Sequence, residues 1–160
     1  FDVVYTGLGA LVWLPDVRRW AEVVAALVAP GGFLYLAEFH PIGNVFADDD
    51  LTAAYPYFHD APMEWEDAGS YADLDAATRN NRTHQWNHGL GAVVSAVVDA
   101  GLVVERLIEL DHTLFPRWPF LVRDPETRDT YRMPPDRPSL PLMYALRAGR
   151  PASDRGEARR

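Results

Sequence analysis

Two apolar runs separated by one amphipathic stretch constrain this chain more than any other feature. Phe1-Asp2-Val3-Val4-Tyr5-Thr6-Gly7 and Gly32-Phe33-Leu34-Tyr35-Leu36-Ala37-Glu38-Phe39-His40 carry strand-forming residues and end in small or polar ones. Between them Val17, Trp20, Val24, Leu27 and Val28 recur at helical spacing. Asp16, after Pro15, has N-cap chemistry, and Ala29-Pro30-Gly31-Gly32 stops the helix. Strand, helix and strand in that order predict a parallel pair joined by a crossover, and so an α/β fold. Parallel sheets bind ligands beyond the carboxyl ends of their strands. That rule directs attention to Thr6-Gly7-Leu8-Gly9 after the first run, and to Glu38 and His40 at the end of the second. Residues 2–6 are expected to be buried on both faces, as strands of parallel sheets are. The chain opens inside this strand without a Met, so residue 1 reads as a point within a longer domain.

The next stretch breaks the rhythm. Residues 41–83 hold nine carboxylates against Arg79 and Arg82, which is nearly all of the net charge of −8. Tyr55, Tyr57, Phe58, Trp65 and Tyr71 lie in the same stretch and call for packing, so it reads as an acidic, aromatic lid with short helical pieces. Leu90, Val93, Val94, Val97 and Val98 then form a helical stripe, with Gly101 as the cap residue beyond it. A strand over 102–110 and a last strand over 142–147 follow the same logic. Residues 111–139 form a loop rich in Pro, Arg and aromatics, with 120–122 expected to pair with 131–133 around Pro125. Residues 149–160 read as a flexible tail.

Composition removes several chemistries. The 160 residues include no Cys, which excludes disulfides, thiolate metal sites and Cys nucleophiles. All fifteen basic residues are Arg, so a phosphate-loop lysine and a cofactor Schiff base are absent from these residues. The negative charge disfavours a nucleic-acid partner, no apolar run is long enough to span a membrane, and a cytoplasmic setting is expected. Gly7-Leu8-Gly9 is not a dinucleotide fingerprint, because the third glycine position holds Val12.

Phe1-Asp2-Val3-Val4 running into Trp13-Leu14-Pro15-Asp16, then Leu27-Val28-Ala29-Pro30-Gly31-Gly32-Phe33-Leu34, resembles the middle of a class I S-adenosylmethionine-dependent methyltransferase. Trp86-Asn87-His88 opening a helix, Asp99-Ala100-Gly101-Leu102 closing it, and Pro141-Leu142-Met143-Tyr144-Ala145-Leu146 as a final strand extend the resemblance to about residue 148. It implies a mostly parallel Rossmann-like sheet with an antiparallel last strand, of which residues 1–148 supply strands four to seven. The three strands that grip most of the cofactor would precede Phe1. It also implies S-adenosylmethionine as cofactor, a small-molecule acceptor and methyl transfer, with this piece inactive alone. The alternatives are a non-catalytic methyltransferase-like partner domain and a nucleotide-dependent oxidoreductase on a related sheet.

The site candidates follow. In the resembled family Thr6, Gly7, Leu8 and Gly9 border the methionine end of the cofactor, where small residues let backbone approach closely. A hydroxyl or amine acceptor must lose a proton, and Glu38 or His40 at a strand tip is placed to take it. The bland alternatives are that Glu38 holds backbone and that His40 terminates its strand before Pro41. His84 and His88 would share a helical face, but no third and fourth metal ligands accompany them, so no metal site is expected. Thr83 or Asn87 would cap that helix. His84, Trp86 and His88, with Tyr71 of the lid and Arg117 and Trp118 of the 111–139 loop, are the expected substrate-binding residues.

Overall fold

The computed structural model describes residues 1–47, 50–58, 61–66, 68–69 and 76–152. Strand β1 (Val3–Thr6) pairs in parallel with β2 (Phe33–Phe39), with Val3 opposite Phe33 and Thr6 opposite Leu36. Helix α1 (Val17–Leu27) makes the crossover. Asp16 caps it as its chemistry requires, its carboxylate accepting the Arg18 and Arg19 N–H groups at 2.9 and 3.0 Å. The helix stops at Leu27, before Pro30. Gly31 then turns with φ +83°, and Gly32 packs so closely that a Cβ there would lie 2.7 Å from the Asp2 carbonyl oxygen. A side chain at Gly32 would therefore part the two strands at their start.

Two short strands come next, β3 (Met63–Glu66) and β4 (Arg82–Gln85), paired antiparallel as a ribbon. The expected lid is thus strand as well as turn. Its one helical piece among the described residues is a short 3-10 turn over Pro41–Val45. Helix α2 (Leu90–Asp99) follows. Its end satisfies the last carbonyls with two reverse bonds, Gly101 N–H to Val98 and Leu102 N–H to Val97, at 2.9 and 3.2 Å. Gly101 adopts φ +87° to make them possible. The expected stripe is rotated slightly: Val93, Ala96 and Val97 are buried while Val98 is half exposed.

Strand β5 (Val103–Leu110) lies at one edge of the main sheet. Strands β6 (His112–Thr113), β7 (Val122–Arg123) and β8 (Tyr131–Arg132) form a small separate sheet. Strand β9 (Met143–Gly149) returns to the main one. The main order is β1-β2-β9-β5. Because β9 is antiparallel to both β2 and β5, β1, β2 and β5 share one direction and β9 opposes them. The expectation of a mostly parallel sheet needs correction: three strands are aligned, but two of the three ladders are antiparallel, since β9 is inserted between parallel strands. Gly149 pairs with both Phe33 and Val103, and the Arg150 guanidinium donates to the Ala25 and Val28 carbonyls at the end of α1. The start of the expected tail is therefore part of the fold, and residues 153–160 lie outside the described residues.

Helices α1 and α2 cover one sheet face. Leu34, Leu36, Leu146 and Ala148 meet Val24, Val28, Val93 and Val97 there, all with at most 4% exposure. The opposite face is bare in part. Val3 and Tyr5 are 51% and 61% exposed, and Tyr5 stacks on Tyr35 with centroids 6.0 Å apart. The expectation that residues 2–6 are buried on both faces is therefore wrong for Val3 and Tyr5, because among the described residues no layer packs on that side. A second, smaller core gathers Trp118, Leu121 and Leu142 beneath the 111–142 segment.

The small sheet carries its own ion pairs. Arg132 Nε donates to Asp124 at 2.6 Å and Arg132 also pairs with Asp111, on which His112 sits at 3.2 Å. These contacts, with the Glu126 and Thr127 N–H groups on Asp124, hold both carboxyls below the ordinary aspartate range. A carboxyl depressed in the folded state stabilises above its unfolded pKa, about 3.9, and loses that contribution as pH falls through the folded value. Acidification below about pH 4 is expected to loosen β6, β7 and β8 before the helical layer. Proton-NMR shifts of Tyr131 and Val97 followed together would show it, and simultaneous loss of both would refute it.

Candidate functional site

A cavity of about 610 Å³ opens where the carboxyl ends of β1, β2 and β5 meet the start of β9. Its size suits a small ligand. It is lined by Leu8, Gly9, Glu38 and Tyr144, by Trp13 and Trp86, and by Phe115, Arg117 and Trp118. Thr6 and Glu38 thus end neighbouring parallel strands on the same side of the sheet, as the strand-end rule requires.

Glu38 is 4% exposed and fully occupied. Its Oε1 accepts the Gly9 and Phe39 N–H groups at 2.6 and 2.8 Å, and its Oε2 accepts those of Ala10 and Leu11 at 3.0 and 3.1 Å. A carboxylate offers about four acceptor positions, and backbone donors fill them all. Glu38 therefore serves as the anchor of the turn after β1, and the expected proton-accepting role does not suit it. The anchor explains the turn: Gly9 takes φ +68° to aim its N–H at the carboxylate, and Leu11–Trp13 coil as one 3-10 turn beyond it.

His40 is likewise engaged. Its Nδ1 accepts the Ile42 N–H at 3.2 Å, and Nε2 lies 3.0 Å from Glu109 Oε1. Burial lowers its pKa, and the Glu109 carboxylate offsets this only in part. The ring is neutral near pH 7 with its one lone pair already taken. It ends the strand and packs edge-on against Tyr144 at 6.1 Å. His40, expected as a catalytic residue, thus has Nδ1 engaged by backbone and Nε2 directed at Glu109. Tyr144 is 1% exposed, and burial, reinforced by the Glu38 charge, raises its pKa above the ordinary range, so it faces the cavity as a neutral phenol.

The stretch after β4 is extended, where a helix start was expected. Trp86 N–H donates to the Val12 carbonyl at 2.9 Å, and His88 Nε2 meets the Leu14 carbonyl at 2.7 Å. Gly89, with neither Thr83 nor Asn87, occupies the cap position of α2. His84 and His88 consequently do not share a helical face. His84 sits on β4 beside Glu64, 3.7 Å away and outside the cavity, whereas His88 and Trp86 line it. No group of three metal-ligating side chains occurs among the described residues. Asn87 is buried and bridges two elements: it accepts from Asn44 Nδ2 at 3.0 Å and donates to the Tyr57 carbonyl at 3.1 Å. Arg117 donates to Asn44 Oδ1, which ties the 111–142 segment to this string. Trp118 lines the cavity while its indole N–H donates to the Ala47 carbonyl at 3.0 Å.

Of the four residues expected to border a cofactor, Leu8 and Gly9 line the cavity. Thr6 turns away to accept from the Trp20 indole at 3.3 Å, and Gly7 packs under the Tyr5 ring. Tyr71 lies outside the described residues. Sequence reasoning missed Trp13, Asn44 and Tyr144 as lining residues. The resemblance had placed Tyr144 in the last strand, and the structure pairs it with Glu38 across the β2–β9 ladder. Nothing local marked Asn44, whose role depends on partners 43 and 73 positions away.

No helix among the described residues is long and apolar enough to cross a membrane. No protein-family model matches the chain, and no curated protein matches it. Solved structures are similar to it. A Listeria monocytogenes protein assigned as an S-adenosylmethionine-dependent methyltransferase aligns over 94% of this chain and 61% of its own, with TM-score 0.56 and 11% identity. An S-adenosylmethionine-dependent methyltransferase from Methanosarcina mazei aligns over 95% of this chain and 60% of its own, with TM-score 0.52 and 13% identity. The CcbJ methyltransferase from Streptomyces caelestis aligns over 95% and 58%, with TM-score 0.51 and 13% identity. At such identities the likeness is one of fold. The chain has the α/β fold of S-adenosylmethionine-dependent methyltransferases and spans about three fifths of the length of these structures.

Proposed function

We propose that this chain is the C-terminal part of a methyltransferase domain, one that moves a methyl group from S-adenosylmethionine to a small-molecule acceptor. The observation that carries the reading is the aromatic cavity at the carboxyl ends of three aligned strands, with an antiparallel strand inserted between two of them. The cofactor would supply an electrophilic methyl on a sulfonium. The residues present fit that cationic end: Trp13, Phe39 and Trp86 offer aromatic faces, and Leu8 and Gly9 form a close-approach turn. They do not fit the nucleoside end. The one carboxylate lining the cavity among the described residues is Glu38, and its oxygens are filled. Ribose hydroxyls would therefore be held by strands that pair with the open edge of β1, which among the described residues has β2 as its single neighbour.

In this reading Trp13 and Trp86 exclude water from the reacting atoms, Asn44 and Arg117 orient the acceptor, and Glu38 fixes the turn on which the methyl-bearing end rests. Calorimetry with S-adenosylmethionine tests it. The 160-residue chain alone is expected to bind weakly or not at all, and a chain extended upstream of Phe1 to bind in the micromolar range. Micromolar binding by the 160 residues alone would overturn the division of the site, and no binding by the extended chain would overturn methyl transfer.

A further inference from the structure

We infer that Tyr144 selects the acceptor molecule of this site by donating its phenolic hydrogen to a neutral carbonyl oxygen on a planar ring; this rests on the methyl-transfer reading. Tyr144 is the second residue of β9, the strand inserted between β2 and β5. It stands opposite Glu38 on one side and Glu109 on the other. It is 1% exposed and lines the cavity. Its hydroxyl makes no hydrogen bond among the described residues. Buried hydroxyls are ordinarily paired, so one left unpaired on a cavity wall points to a ligand.

The neighbouring side chains are committed elsewhere. Glu38 accepts four backbone N–H groups. Glu109 Oε1 lies 3.0 Å from His40 Nε2, and His40 Nδ1 accepts the Ile42 N–H. Tyr57 OH accepts the Leu90 N–H at 3.1 Å. The partner of the Tyr144 hydrogen therefore comes from what occupies the cavity. Burial and the Glu38 charge both disfavour a phenolate, so the hydroxyl keeps its proton while offering it. Tyr144 thus orients a ligand and exchanges no proton with it.

The chemistry of the partner follows by exclusion. An ammonium carries donors alone and cannot take the hydrogen. A carboxylate has the lone pairs but sets a second negative charge beside buried Glu38, and like charges repel most where water is scarce. A neutral carbonyl supplies lone pairs without that cost. The rest of the ligand meets flat faces: Trp13, Phe39, Trp86, Phe115 and Trp118 line the same cavity. The Trp118 indole N–H is already spent on the Ala47 carbonyl, so that ring offers its face and not a donor.

Acetophenone, a ring with a ketone, and ethylbenzene, its hydrocarbon counterpart, test this on the 160-residue chain without the cofactor. Tyr144→Phe should bind acetophenone about fivefold more weakly than the parent does, the usual worth of one hydrogen bond. It should bind ethylbenzene no more weakly. The infrared carbonyl stretch of bound acetophenone should lie lower in the parent than in the variant, because a hydrogen bond weakens the C=O bond. Benzoate should bind the parent more weakly than acetophenone. Tyr144→Phe should also melt at or above the parent temperature, since the change strands no partner; a lower melting temperature would show a hydroxyl already paired within the fold. No acetophenone binding, an equal loss for both compounds, an unshifted stretch, tighter binding of benzoate or a lower melting temperature would each overturn the inference. So would a fivefold loss of S-adenosylmethionine binding by Tyr144→Phe in the chain extended upstream, because the hydroxyl would then serve the cofactor. None of these results decides whether the extended parent binds S-adenosylmethionine, so the methyl-transfer reading stands or falls by its own calorimetry.

Discussion

Glu38→Gln is expected to lower the unfolding free energy by about 3 kcal/mol or more, because it turns a filled acceptor into a mismatched one. The carboxylate receives four backbone N–H groups, two on each oxygen. A glutamine keeps one acceptor oxygen and sets an NH₂ against the other pair of donors. Two part-buried N–H groups are then unpaired, at about 1–3 kcal/mol each. For a domain of this size the melting temperature should fall by roughly 10 °C. The loss should be felt first in residues 9–14, and through Val12 and Leu14 in Trp86 and His88. Thermal unfolding gives the magnitude, and hydrogen exchange of the 9–14 amides gives the location. A variant as stable as the parent, with those amides still protected, would show that the anchor is not there.

Trp118→Ala is expected to cost about 3–5 kcal/mol, the usual range for a buried tryptophan truncated to alanine. Its ring is 2% exposed, lies 5.6 Å from and nearly parallel to Phe120, and meets Phe46 edge-on at 6.1 Å. The substitution also leaves the Ala47 carbonyl without its indole donor. Trp118 belongs to the smaller core, which shares no buried member with the core under the helices. The damage should therefore stay local. The cavity wall from 111 to 142 should lose hydrogen-exchange protection, and the helical circular dichroism of α1 and α2 should remain. Unfolding of both at one midpoint would mean that the two cores form a single cooperative unit. Trp118→Phe, which keeps a ring but not the N–H, should fall between the parent and the alanine variant.

The elements that local chemistry specifies were legible before any coordinates. Asp16 caps α1 because a carboxylate before a helical run has few other uses, and Gly101 closes α2 because its backbone conformation is left-handed. The apolar period of 2 or 3.6 residues placed β1, α1, β2 and α2 to within a few positions. The same reasoning failed at residues 84–88. The pair of histidines four apart suggested one helical face, yet the carbonyls of Val12 and Leu14 offer Trp86 and His88 bonds that favour extended backbone there. Those bonds join positions more than seventy residues apart, and no local pattern encodes them. The exposure of Val3 and Tyr5 was misjudged for a related reason, since burial on a second sheet face depends on what packs there.

By itself the order of apolar runs, caps and breakers determined an α/β sheet whose first two strands run in parallel toward Thr6 and Glu38, because hydrogen-bonding periodicity is a local property of the chain. Which of the polar residues gathered there hold backbone was decided only by the tertiary structure. Glu38 and His40 are spent on the backbone that folding brings to them, and His88 is turned by a carbonyl from the first crossover. A side chain's chemistry depends on which partners the fold has already assigned to it.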